Sequence, residues 1–182
     1  MSASSTRRNI IEDVLTDEAK QIFPPNADVS IWEVMANCAL SLGDEIALKD
    51  YTESLGVIYI PNPFSRAAAD CLNEIDVPAF KIVSGEADNL PLIRHIVRFG
   101  KPVIISTRMQ SIETSKASVD ILVESGVEFA LLECTNLYPS PPEIVSLQGL
   151  SELRAAFPGV PVGFSDHSIG SEMALASIAL GA

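Results

Sequence analysis

One lysine lies inside a short apolar run of this chain, and a histidine and several polar residues follow such runs. Together these residues could bind an anionic substrate. Lys81 lies between Phe80 and Ile82 inside an apolar run, where an unpaired lysine is rare, so its position favours a functional role. A lysine supplies a point charge for phosphate, and hydroxyl or amide groups supply neutral hydrogen bonds. The other polar candidates that follow the apolar runs are Asn62, Ser84, Glu86, Ser106, Asn136, Tyr138 and Ser165.

His167 follows Asp166 at the end of the last apolar run. A histidine beside a carboxylate could bind a divalent metal or transfer a proton, and a structural role is equally open for it. Single serines and threonines after strands also serve as helix caps and turns, which is the commoner interpretation of each one taken alone. Cys134 is more typical of a small core residue than of a nucleophile.

Alternating strands and helices must position these residues. Ser65, Asn89 and Ser111 can cap the helices that follow three of the strands. Strict alternation predicts parallel strands with right-handed crossovers, in an open doubly wound sheet or in a (β/α)8 barrel. The predicted strands, apolar on both faces, span residues 57–60, 79–83, 102–105, 129–132 and 160–164.

Two observations favour the barrel over the open sheet. No glycine-rich nucleotide loop follows the first predicted strand, and polar residues recur at the C-terminal ends of the strands, where barrel active sites lie. About five β/α units are present, whereas a closed barrel needs eight, so the sequence predicts an α/β fold, an incomplete (β/α)8 TIM-type barrel. We expect a partial catalytic barrel over residues 44–182 and an acidic N-terminal segment over 1–43, with a helix near 29–42 capped by Ser30.

The composition excludes several classes of partner. The 182 residues carry 24 acidic and 12 basic side chains, a net charge of −12, which argues against nucleic acid and against an anionic membrane surface. No apolar stretch is long enough to span a bilayer, and the N-terminus does not have the pattern of a signal peptide. Three widely spaced cysteines indicate reduced thiols, so we expect a cytoplasmic protein.

Six segments of the chain carry a recognisable pattern. They are NADVSIWEVM, NPFSRAAA, PAFKIVSGEADNLPLI, GKPVIISTRM, LLECTNLYPSPPEIVSL and FPGVPVGFSDHSIG. In this order and spacing they resemble the sialic acid synthase family, the N-acetylneuraminate synthases. The resemblance implies a (β/α)8 barrel that condenses phosphoenolpyruvate with N-acetylmannosamine, giving N-acetylneuraminate and phosphate. It also implies a divalent metal, Mn2+ or Mg2+.

The resemblance implies roles for individual residues. Lys81 matches a phosphate-binding lysine, Glu86 an acidic residue near the metal and the water, and His167 one of two metal-binding histidines. Asn62 stands where the family has a phosphate-contacting threonine. The remaining matches are the phosphate-contacting serines Ser84, Ser106 and Ser165, and the substrate-facing Asn136 and Tyr138.

The chain also departs from the family pattern. Arg108 replaces a glycine, and the family's first strands, second metal histidine and C-terminal antifreeze-like domain are expected outside the chain. Full-length members are expected to be homodimers. We therefore expect the isolated chain to be an inactive fragment. Three alternatives remain: a synthase for legionaminic or pseudaminic acid, a non-catalytic remnant and, more distantly, an aldolase that uses Lys81 as a Schiff base.

Overall fold

A computed structural model describes residues 16–23, 28–108 and 112–182. The chain divides into two compact units, which we call the helical unit (residues 1–59 and 63–77) and the sheet unit (residues 60–62 and 78–182). The predicted cap at Ser111 and much of the acidic N-terminal segment lie outside the described residues.

Three helices of the helical unit begin at serine caps. Ser30 and Glu33 form a capping box at the start of α2, as do Ser41 and Asp44 at the start of α3. The helix predicted over 29–42 is therefore shorter than expected, because the second capping box starts a new helix. The Ser65 cap of α4 is confirmed, since its hydroxyl accepts from the backbone of Ala68. The helices are α1 (Asp17–Lys20), α2 (Ile31–Asn37), α3 (Leu42–Ser54) and α4 (Arg66–Glu74).

The sheet unit contains four parallel strands in the order β1-β2-β3-β4, so each strand pairs with the next along the chain. The strands are β1 (Phe80–Ile82), β2 (Val103–Arg108), β3 (Phe129–Cys134) and β4 (Val162–Ser165). The helices are α5 (Leu90–Ile96), α6 (Ile112–Ser125), α7 (Gln148–Ala156) and α8 (Glu172–Ala179). Short 3-10 helices cover Ser84–Glu86, Val97–Phe99 and Pro142–Ile144. The predicted parallel α/β alternation is confirmed for these four strands.

The prediction of a first strand over residues 57–60 is wrong, because this segment forms no strand in the described structure. The neighbouring Pro61 carbonyl accepts one hydrogen bond from the backbone of Lys81, at 3.2 Å. Pro61 and Pro63 have no N–H group, so they cannot donate to a strand ladder. Hence the described sheet has four strands where the sequence predicted five.

The sheet has a buried face and an open face. Ile82, Ile105, Leu131 and Val162 lie in one register row, and all four are buried. Side chains alternate between the faces of a strand, so the preceding row, which begins at Lys81, points the other way. The residues on this open face are Lys81, Ile104, Ser106, Ala130, Leu132, Cys134, Gly163 and Ser165. The open face thus carries three predicted site residues.

Helix α8 exposes apolar side chains and buries a polar one. Leu175 and Ile178 are 64% and 65% exposed, whereas Ser177 is 3% exposed and donates its hydroxyl to the Ala174 carbonyl. Strand β4, which precedes α8, lies at one end of the described sheet. Within the described residues, every helix is too short or too polar to cross a lipid bilayer.

Candidate active site

Lys81 and Ser106 form the central contact of the open face. The ammonium of Lys81 donates to the Ser106 hydroxyl at 2.9 Å, and Ser106 itself is buried. Burial lowers the pKa of Lys81, and the nearby Cys134 side chain opposes this shift through its charge. Across the described residues, no carboxylate forms an ion pair with Lys81. A half-buried cation with neutral partners is suited to an anionic ligand.

Cys134 lies at the centre of the same cluster. The sequence did not predict this position for it. Its sulphur lies 4.0 Å from Nδ1 of His167. Burial raises the pKa of this thiol, while the side chains of Ser165 and Ser84 and the charge of Lys81 oppose that increase. Cys134 is buried, as a small core residue would be, yet four predicted site residues lie near it or act on its pKa.

Ser84 and Glu86 both lie in the 3-10 helix that follows β1, and they make different contacts. The Ser84 hydroxyl donates to the side-chain oxygen of Asn136 at 3.4 Å, which links the ends of β1 and β3. The carboxylate of Glu86 accepts from the Asn89 amide at 2.6 Å. Asn89 also caps α5 by accepting from the backbone of Leu92, which confirms its predicted cap. In this structure Glu86 is therefore oriented by the start of α5.

His167 is held in a defined orientation by residues that follow β3. Its Nδ1 lies 2.9 Å from the Thr135 carbonyl oxygen, which can only accept, so Nδ1 carries the proton in the neutral ring. Nε2 lies 2.9 Å from the Tyr138 hydroxyl, and the two rings stack with centroids 3.9 Å apart. The Tyr138–Pro139 peptide bond is cis. In this tautomer of His167, Nε2 carries the basic electron pair of the ring, and it accepts from the Tyr138 hydroxyl.

A backbone carbonyl on Nδ1 is a usual way to direct Nε2 at a metal, and here a metal at Nε2 would have to displace the Tyr138 hydroxyl. The described residues do not form a complete metal site. Over the described part of the chain, no group of three His, Cys, Asp or Glu side chains could hold an ion. Asp166 accepts instead from the backbone and hydroxyl of Ser168, at 2.9 and 2.8 Å. The predicted metal stays a prediction, with His167 as its one candidate ligand here.

Asn62 directly follows Pro61, whose carbonyl accepts from the backbone of Lys81, so its backbone lies beside the central lysine. Asn62 is exposed, in the segment before β1, and no side-chain hydrogen bond joins it to the other candidates within the described ranges. No hydrogen bond of this kind therefore supports its predicted role as a phosphate contact.

Thr107, the neighbour of Ser106, lies on the buried face and donates to the Leu132 carbonyl at 3.0 Å.

Glu133 is a buried carboxylate that no sequence pattern indicated. It lies on the buried face of β3, 7% exposed, against the backbone of Gly149 in α7. Burial raises its pKa to about 7, and the negative charge of Glu152 adds to this shift, whereas a backbone hydrogen bond at Cys134 opposes it. A β-carbon at residue 149 would overlap this carboxylate, so Glu133 fits only because residue 149 is a glycine.

Comparisons with known proteins show which family the chain resembles. The NeuB family model matches residues 5–182. The human N-acetylneuraminate-9-phosphate synthase is 36% identical over 74% of this chain and 38% of its own length. The N,N'-diacetyllegionaminic acid synthase of Campylobacter jejuni is 33% identical over 85% of this chain and 47% of its own length. The chain thus spans less than half the length of these curated relatives.

The fold of this chain also matches that of a solved structure. The crystal structure of N-acetylneuraminic acid synthetase from Leptospira borgpetersenii superposes with a TM-score of 0.78 at 26% sequence identity. The match covers 90% of this chain and 56% of that one. The α/β architecture described above is therefore shared with a solved sugar-acid synthase.

Proposed function

Because this chain belongs to the NeuB family, we propose that it forms part of the catalytic domain of a synthase that condenses phosphoenolpyruvate with N-acetylmannosamine. The products would be N-acetylneuraminate and phosphate. One observation carries the proposal, namely the contact of Lys81 with Ser106 on the open face, where further polar groups end the neighbouring strands. These groups suit the phosphate of one substrate and the hydroxyls of the other.

The phosphate of phosphoenolpyruvate would bind at Lys81. The chain has a net charge of −12, so its overall field repels an anion and the attraction must come from local groups. Lys81 supplies the charge, and the hydroxyls of Ser84, Ser106 and Ser165 supply neutral donors. The bound phosphate would in turn favour the protonated form of Lys81, which burial disfavours.

The condensation requires that one carbon–carbon bond forms and that phosphate leaves. The enol carbon of phosphoenolpyruvate would attack the aldehyde carbon of the open-chain sugar, and water would add to the resulting cationic centre. Glu86 is the proposed acidic residue near this water, and Asn62, Asn136 and Tyr138 are proposed to contact the substrates. A divalent metal, Mn2+ or Mg2+, supplies polarisation of the aldehyde when bound, and Nε2 of His167 would be one of its ligands.

We further propose that the four strands are part of a (β/α)8 barrel. Consecutive strands are neighbours throughout β1-β2-β3-β4, as in a barrel, whereas a doubly wound sheet reverses its strand order at a switch point. In this proposal the open face lines the barrel interior and α7 belongs to the outer ring. The barrel would include residues 44–182, and the full-length synthase would be a homodimer.

Calorimetric titration with phosphoenolpyruvate tests the proposed phosphate site. We expect the chain to bind this ligand, and we expect Lys81→Met to weaken binding at least about tenfold, because a buried charge-assisted contact is lost. Lys116→Met is the matched control, since it removes an exposed lysine from α6. Equal affinity in the two variants would contradict the assignment of Lys81, and no binding to the wild type would favour a non-catalytic remnant.

The acceptor sugar has a second candidate. The legionaminic acid synthase among the relatives supports a synthase for another nonulosonic acid, legionaminic or pseudaminic acid, by the same chemistry. Turnover assays of the full-length parent protein with phosphoenolpyruvate and Mn2+ should compare N-acetylmannosamine with the alternative hexosamines. Preference for another hexosamine would replace the proposed acceptor without changing the proposed reaction. We propose that the isolated chain is inactive, and clear turnover by it would contradict this.

A further inference from the structure

His167 is fixed by one short segment, residues 135–140, which we call the β3 loop. Nδ1 of the ring contacts the Thr135 carbonyl and Nε2 contacts the Tyr138 hydroxyl, each at 2.9 Å. The backbone carbonyl of His167 accepts from the backbone N–H of Ser140, also at 2.9 Å. The β3 loop therefore sets both the position of the His167 backbone and the orientation of its ring.

Ser140 is the residue that closes the β3 loop. It is 2% exposed, and its hydroxyl lies 2.7 Å from the Leu137 carbonyl and 3.2 Å from the Thr135 carbonyl. The single hydroxyl proton is directed at the carbonyl of Leu137, with that of Thr135 as the weaker second acceptor. Ser140 also forms an isolated parallel bridge with Ser168, beside His167. Side chain and backbone of one buried residue thus connect the ends of β3 and β4.

We propose that Ser140 is a positioning residue that keeps His167 in one tautomer. The Thr135 carbonyl can hold a proton on Nδ1 only while the β3 loop keeps its shape, and the Ser140 hydroxyl is the side-chain group that braces this loop internally. A neutral imidazole carries one N–H, so a proton fixed on Nδ1 leaves the electron pair on Nε2. Nε2 is then the only atom of this ring that can bind a cation or accept a proton.

The importance of this tautomer rests on the proposed role of His167, but the tautomer itself needs neither substrate nor metal. It can be measured by two-bond 1H–15N correlation spectra of the uniformly 15N-labelled full chain. The chain has two histidines, so His95→Gln assigns the His167 signals. In the neutral ring we expect Nδ1 of His167 to be protonated and Nε2 to be unprotonated. The opposite tautomer in the wild type would overturn the proposal.

Ser140→Ala tests the positioning role directly. We expect both nitrogen resonances of His167 to shift toward the averaged values of a mixed-tautomer imidazole. Ser140→Thr keeps the hydroxyl and should restore the wild-type pattern. The control is Ser177→Ala, which removes another buried hydroxyl that donates to a backbone carbonyl, in α8. It should leave the His167 signals unchanged.

Three other outcomes would overturn the proposal. A folded Ser140→Ala variant with the wild-type tautomer would show that Ser140 does not position the ring. Unfolding of Ser140→Ala, with Ser177→Ala folded, would make Ser140 a residue of general stability instead. Tyr138→Phe is a second variant at an exposed position, and it should keep the proton on Nδ1, because the Thr135 carbonyl remains. A change of tautomer in Tyr138→Phe would make Tyr138 the selecting group.

Discussion

Lys81 and Glu133 are ionisable residues on opposite faces of the same sheet. Whether a ligand can reach the charged group depends on the face on which the residue lies. Lys81 lies on the open face, where a ligand can reach its ammonium and offset the cost of its burial. Glu133 lies beneath α7, so no ligand can compensate its carboxylate and its pKa rises to about 7. One residue is therefore a candidate for binding, and the other affects stability.

The pH dependence of ligand binding should report on Lys81. Burial lowers the pKa of Lys81 from its ordinary value, and a bound phosphate favours the protonated form. The affinity for phosphoenolpyruvate should therefore be highest at neutral pH. It should fall as the pH rises through the pKa of Lys81 in the free protein. Calorimetric titrations from about pH 7.5 to 10 measure this, above the titration range of the phosphate. An affinity that stays constant to pH 10, or a decline retained in Lys81→Met, would exclude Lys81 as the cause.

Glu133 should make the protein less stable as the pH rises. Its pKa is raised to about 7 in the folded state, so the folded state holds a proton that the unfolded state has released above about pH 4.5. The free energy of unfolding should thus fall between about pH 5 and pH 8, by roughly 2 kcal/mol after allowance for partial solvation. Urea unfolding at both pH values measures it, and Glu133→Gln should remove most of the decrease.

Glu124→Gln is the control for this experiment, because Glu124 is an exposed carboxylate of α6. It should keep the wild-type dependence on pH. If Glu133→Gln and Glu124→Gln gave the same slope, Glu133 would not be the group that titrates.

Local patterns predicted the elements better than the contacts between them. The Ser65 and Asn89 caps depend on residues three positions away, so the sequence contains all the information needed. The segment 57–60 has strand composition, but Pro61 and Pro63 lack the N–H groups that pairing needs. Cys134 and Glu133 owe their surroundings to β4 and α7, which are distant in sequence, and no local pattern could have indicated them.

The packing of α7 on β3 depends on Gly149. A β-carbon at this position would overlap the Glu133 carboxylate, so Gly149→Ala should destabilise the protein by about 1–3 kcal/mol, as overpacking in a core does. The control is Gly43→Ala in α3, where a β-carbon meets its nearest atom at 3.7 Å and should be neutral or slightly stabilising. Chemical denaturation of both variants measures the difference. The cost of Gly149→Ala should shrink when Glu133 is also changed to Ala, and equal costs in both backgrounds would contradict this contact.

The molecule as a whole combines strong negative charge with uncovered apolar surface. The charge of −12 favours solubility through repulsion between copies. Helix α8 favours association between copies instead, because Leu175 and Ile178 are exposed on it. It follows β4, which lies at the end of the described sheet. Exposed apolar side chains and the edge strand of the described sheet both favour association.

Self-association should therefore increase with salt, which screens the repulsion between the charges. The double variant Leu175→Ser and Ile178→Ser should weaken association at least about tenfold, because each apolar side chain contributes on the order of 1 kcal/mol when buried. Sedimentation equilibrium at low and high salt measures this. Val123→Ser is the control, since Val123 is 61% exposed on α6. Equal association of the control and the double variant would locate the contact elsewhere.

The sequential strand order has a consequence for how the chain folds as it is made. Since each strand pairs with the one before it, a ribosome that has released β2, α6 and β3 has released everything that this part of the sheet needs. Contacts between near neighbours in sequence form quickly, because the loops that they close are short. The sheet can thus be assembled one β/α unit at a time during synthesis, and pulse-labelled hydrogen exchange on stalled nascent chains should show protection of β2 and β3 before β4 has emerged.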